Sequence, residues 1–180
     1  MVDMSYPPLL ADLLRQSLQQ GQAPQLEVTS NSMAPLLRQG DKVIIEAVTP
    51  EQLTRGDVIT LVSQKAITTQ LFWGIDPSQA TRRLLTRGDR PLIFDEPWPL
   101  EAIIGRMVAR CRQGKELSLD SGSGRWLNRH LYWLAEKEYQ WWGNRAVGTA
   151  PTGRRMLRRG VRGMIYVWAT IITDIVGRVA

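Results

Sequence analysis

Cysteine and histidine are almost missing from this chain: Cys111 and His130 are the only ones in 180 residues. A lone cysteine cannot close an intrachain disulfide, so the fold must rest on its own core, and one thiol fits a reducing compartment. Neither a metal nor a cofactor is expected. Long apolar runs are lacking too. A membrane-spanning helix needs ~18 uncharged apolar residues, and the best stretch, 163–173 between Arg162 and Asp174, has 11 uncharged residues. No secretory leader is expected either, because Asp3 lies near the start and Asp12 and Arg15 break the Leu-rich stretch that follows. The expectation is a cytoplasmic protein, at most peripheral at a membrane. Acidic residues are scarce in one region only. Residues 121–180 carry ten Lys and Arg against three Asp and Glu, while the rest of the chain is close to neutral. Eight of the thirteen aromatic residues share that region, so it reads as a separate unit with its own task.

What is present is a series of short β-branched or apolar runs punctuated by turns. Pro7-Pro8 opens a helical stripe of Leu9, Leu10, Leu13, Leu14 and Leu18 that stops before Gly21. Strands are predicted at Leu26–Thr29, Lys42–Val48, Val58–Ser63, Ala66–Ile75, Arg82–Thr86 and Ile103–Arg112. Pro50–Leu53 suggests a helical turn, and Leu117 and Leu119 could finish the sheet. The expected fold is mainly β, a compact antiparallel coiled sheet or partial barrel with a short N-terminal helix and a helical C-terminal tail. The divisions fall at 1–25, 26–120 and 121–180. Ser121-Gly122-Ser123-Gly124 reads as a linker by composition, and Gly148-Thr149-Ala150-Pro151 as a hinge between two tail helices.

The chemistry concentrates in Ser30-Asn31-Ser32-Met33-Ala34-Pro35-Leu36-Leu37-Arg38-Gln39-Gly40-Asp41. A constrained loop beside a sheet is how a fold presents a weak alcohol nucleophile at a fixed angle. Taken alone, Ser-Asn-Ser is better explained as a turn with locally bonded hydroxyls. Three further boxes follow in order: Arg55-Gly56-Asp57-Val58, then Thr86-Arg87-Gly88-Asp89 with Asp95 after it, then Ile103-Ile104-Gly105-Arg106-Met107-Val108. This ordered set resembles the S24/S26 serine peptidases, the signal peptidases and self-cleaving repressors, over about Leu26 to Arg112. The resemblance implies a signal-peptidase-like β domain, Ser32 as nucleophile, and a peptide or leader segment lying extended along a sheet edge. It also implies that Asp89 and Asp95 support the site.

In that family a Lys or a His on the strand after the second Gly-Asp box takes the serine proton. A hydroxyl needs such a neighbour because its own pKa is far above neutrality. In this chain the matching position is Thr69, which cannot act as a base. Lys65 is a substitute on the same face of the strand, but at ~3.3 Å per residue it starts roughly 13 Å away. Lys42 falls where the family varies, and His130 lies beyond the linker, where packing on an aromatic helix explains it better. Two functions therefore stand side by side. One is a serine endopeptidase acting on an extended peptide. The other is an inactive pseudopeptidase that binds a peptide or protein partner, with its tail docked on a partner or a membrane.

In the tail, Trp126, Leu127, His130, Leu131, Trp133 and Leu134 recur at helical spacing, and the Trp126–Trp142 helix is a candidate docking face. Arg154, Arg155, Arg158, Arg159 and Arg162 precede an apolar run with Tyr166 and Trp168. Packing or partner binding ranks first for this segment. An anionic membrane surface, met through residues 154–178, ranks second, since Trp and Tyr beside arginine suit that interface. Nucleic acid ranks last, because no recognition motif is present.

Overall fold

A computed structural model of the chain describes residues 6–76, 81–88, 93–143 and 152–179. The first helix, α1 (Tyr6–Gln19), buries Ala11, Leu14 and Leu18 against Ile45 and Ile104. Beyond its end Gly21 takes a positive φ of 75°, a conformation that costs glycine little and lets the chain turn away.

Eight strands follow, all paired antiparallel: β1 (Gln25–Glu27), β2 (Lys42–Glu46), β3 (Val58–Val62), β4 (Ile67–Asp76), β5 (Arg83–Arg87), β6 (Trp98–Pro99), β7 (Ile103–Arg112) and β8 (Lys115–Ser118). Their order in the sheet is β1-β2-β7-β3-β4-β5-β6, with β8 joined to β7. The ten-residue β7 is the spine. Its first half pairs with β3, its second half with β8, and its other edge with β2. Register shifts at Ile44/Ile45, Thr60/Leu61 and Phe72/Gly74 interrupt three of the pairings. Each such bulge bends its strand and increases the local twist, and the sheet curls into a half-barrel. The mainly β architecture expected from the sequence is therefore present, with a short helix before it and helices after it. The sequence reading missed β6 and the 3₁₀ turn at Leu100–Ala102. A two-residue strand next to prolines is too short to show alternation.

The repeated Gly-Asp pairs have a common physical cause. The Asp41 carboxylate accepts the Arg38 N–H at 2.8 Å, and the Asp57 carboxylate accepts the Thr54 N–H at 2.8 Å. In both, the Asp N–H returns to the carbonyl of the same residue, three positions earlier, at 3.0 Å. Glycine precedes each aspartate because the turn requires a positive φ, 87° at Gly40 and 94° at Gly56. The turn thus closes itself and delivers the chain into β2 or β3.

Helices α2 (Gly122–Trp142) and α3 (Thr152–Val179) cover one face of the sheet. Leu127 and Leu131 of α2 and Ala169 and Ile172 of α3 share a core with Leu36, Leu37, Val43, Val58 and Met107. The tail is thus packed into the β domain rather than set apart from it. The linker reading of Ser121–Gly124 is corrected accordingly: residues 122–124 form the first turn of α2. Gly124 is buried there because a Cβ would lie 1.9 Å from the Ser118 carbonyl oxygen. The glycine serves close approach, not flexibility. The hinge expected at Gly148–Pro151 lies outside the described residues.

Two glycine substitutions in the helices should therefore act with opposite sign. Gly124→Ala is expected to destabilise the protein by about 1–3 kcal/mol through overpacking. Gly160→Ala, in α3 with nothing within 4 Å of the added methyl, should stabilise it by roughly 0.5–1 kcal/mol. Urea unfolding midpoints of the two variants check both.

Candidate functional site

Ser32 sits half-buried on the loop between β1 and β2. The loop is held from within. Leu37 N–H donates to the Met33 carbonyl at 2.9 Å, and the Asn31 side chain accepts the Gln39 N–H at 3.0 Å. Two arginines of β7 reach under it. Arg110 and Arg112 donate to the Leu36 carbonyl at 2.9 and 3.2 Å. Arg112 also donates to both oxygens of the buried Asp41, at 2.8 and 2.6 Å. From the loop itself, Arg38 reaches α3 and pairs with Asp174 at 2.8 Å. Burial, followed by the neighbouring Arg112 charge, pushes the Arg110 guanidinium down to about 10. Sequence reasoning read these two arginines only as part of a strand. Their signal was there in part, as cations inside a strand that is otherwise apolar, but such residues ordinarily point to solvent.

Ser32 and Thr69 line one cleft of about 220 Å³. Its apolar lining includes Leu10, Leu26, Val43 and Ile67, and among the described residues its one ionisable side chain is the exposed Glu27. Ser30 Oγ and Ser32 Oγ lie 3.1 Å apart, in hydrogen-bond contact. The fold thus brings the candidate nucleophile and the position matched to the base together, although they are 37 residues apart in sequence. Among the described residues no lysine or histidine lines the cleft.

The other candidates lie elsewhere. Lys65 is exposed in the β3–β4 turn, where its N–H is bonded to Ser63 Oγ at 3.2 Å, and it is not among the cleft residues. Asp95 is bonded to Thr86, through its carboxylate at 2.8 Å and its N–H at 3.0 Å, so it braces the end of β5. Burial pushes its carboxyl above the ordinary value, against the Thr86 hydroxyl, which lowers it. Asp89 lies outside the described residues. Lys42 is an exposed residue of β2. His130 is stacked between Trp126 and Trp133 and accepts the Trp168 indole N–H at 3.2 Å, on the helical tail. Arg87 of the third box is buried in an ion pair with Glu138 of α2 at 3.2 Å. That arginine ties sheet to helix. Among the described residues no cluster of acids, histidines or cysteines could hold a metal ion.

Beside the cleft, one edge of β4 lacks a described strand partner over part of its length. Residues 67–71 of β4 pair with β3 on one edge, but on the other edge β5 pairs only from Leu71 onward. Residues 67–70 therefore present an edge that no described strand covers. Compared with known proteins, the chain matches no family model and no curated protein.

Asp41→Asn is expected to cost about 1.5–3 kcal/mol, since the part-buried Arg112 loses its charged hydrogen-bond acceptor and keeps only Asp174 at 3.8 Å, and denaturant unfolding measures it. Asp95→Asn should behave differently. The raised carboxyl binds its proton more tightly in the folded state, so wild-type stability falls as pH rises from the unfolded value through the folded one. The variant, which keeps an acceptor for Thr86, should match wild type at pH 3 and be more stable at pH 7, as read from thermal midpoints.

Proposed function

We propose that this chain is a serine-peptidase-like fold used as a peptide-binding module. An extended segment of a peptide or protein partner lies in the Ser32 cleft, adds to the uncovered edge of β4, and leaves uncleaved. The observation that carries this reading is the make-up of the cleft: an alcohol sharing its walls with Thr69, and no lysine or histidine to take its proton. A positioned general base contributes about 10²–10⁴-fold, so without one the serine stays a weak nucleophile, however well it is held. The remaining features suit recognition. An open strand edge supplies main-chain hydrogen bonds, and an apolar lining supplies seats for alternate side chains of the guest. The preferred ligand is therefore an extended segment with apolar side chains at every second position.

The ordered boxes from Ser32 to Val108 support descent from S24/S26 peptidases, and the same scaffold would serve cleavage if a base stood at 69. Labelling with a serine-reactive phosphonate separates the two activities. Wild type and Ser32→Ala should label equally and negligibly; labelling that requires Ser32 would establish an activated nucleophile and overturn the non-hydrolytic reading. Thr69→His is expected to raise Ser32-dependent labelling. Binding is read separately, with fluorescent extended peptides and with Ser32→Trp, which fills the cleft and should abolish binding without changing the unfolding midpoint.

A further inference from the structure

Helix α3 is apolar on two sides, and only one of them is packed. Ala169, Ile172 and Thr173 are buried against the sheet and α2. On the opposite side Leu157, Met164, Trp168, Ile171 and Ile175 recur three, four or seven residues apart, which puts them on one face. Their exposures run from 47% at Ile171 to 67% at Met164. Gly160 and Val167 continue the stripe, so about four turns of helix hold no charged side chain along this line. Trp168 carries it across to α2 through its bond to His130, and Trp126 and Trp133 on either side of that histidine are 53% and 48% exposed. A continuous apolar and aromatic surface of this kind marks an interaction site.

Charge selects the occupant. No acidic residue lies between Glu138 and Asp174. Glu138 is buried in its pair with Arg87, and Asp174 is engaged by Arg38. Arg125 and Arg129 of α2 and Arg159 and Arg178 of α3 are exposed. A second copy of the chain would bring the same positive charge to the contact and be repelled. An anionic lipid surface attracts both the arginines and the apolar stripe, and indole rings favour the headgroup level. No described helix is long and apolar enough to cross a membrane, so the helix would lie on the bilayer. At 1.5 Å per residue its 28 residues extend about 42 Å along it.

We propose that the outer faces of α2 and α3 form a docking surface for an anionic bilayer, with α3 in the plane of the headgroups. This is independent of the Ser32 cleft. The test is flotation of the full chain with vesicles of phosphatidylcholine, alone or mixed with phosphatidylglycerol. The protein should float with the mixed vesicles, remain behind with the neutral ones, and be released as salt rises. Met164→Glu with Ile171→Glu, at exposed positions, should lower partitioning at least tenfold with an unchanged unfolding midpoint. Arg178→Gln, beside the stripe, should lower it about fivefold. Absence of flotation, or equal binding to both kinds of vesicle, would overturn the proposal. So would a dimer in sedimentation that Met164→Glu dissociates, which would assign the face to a second copy.

Discussion

The serine loop depends on one buried carboxylate. Asp41 closes its own turn through the Arg38 N–H and takes the Arg112 guanidinium on both oxygens. A buried ion pair is tolerated only when the geometry is good and the remaining lone pairs are used. Here Arg110 and Arg112 also satisfy the Leu36 carbonyl, so the loop, β7 and the turn into β2 form one hydrogen-bonded unit. Helix α3 belongs to that unit as well. Asp174 answers Arg38, and Gly177 leaves room for Arg110, whose Nη2 would lie 2.8 Å from an added Cβ. Burying Arg110 disfavours its charge, as the lowered pKa records, and what opposes this is the nearby charge of Asp41 and Asp174 together with the bond to the Leu36 carbonyl.

Such a loop suits both cleavage and binding, since each needs a peptide held in one register. On the reading proposed above, the difference lies in Thr69, which lines the same cleft as Ser32. Thr69 offers no proton acceptor of useful basicity, and neither Lys65 nor His130 is among the cleft residues. His130 is fixed within an indole stack, and Lys65 stands on an exposed turn. On the reading proposed above, a peptidase-like scaffold serves without an acid–base partner, and residues 67–70 of β4, which no described strand covers, receive the guest strand.

The tail serves two surfaces at once. Its inner residues finish the core begun by Leu36, Val43 and Met107, and its outer residues extend an apolar stripe among exposed arginines. A helix buried on one side and apolar on the other does not minimise its own exposure. The arrangement is stable because the inner contacts and the Arg38–Asp174 and Arg87–Glu138 pairs hold the helices in place.

Much of this was legible in the residues themselves. Local chemistry dictated the strands, because β-branched runs between Gly-Asp turns have few alternatives, and each turn aspartate closes its own turn through the N–H three residues earlier. The serine at 32 and the threonine at 69 were equally plain, being identities at spaced positions. Long-range packing decided the rest. Composition made Ser121–Gly124 a linker, whereas the approach of Ser118 to Gly124 made it a helix turn. Helical spacing grouped Trp126 with Leu127 and Leu131, and only the position of the sheet separated inner leucines from outer tryptophans. The roles of Arg110 and Arg112 could not be read in advance, since a cation in a strand turns inward only when a distant carboxylate and carbonyl are waiting for it.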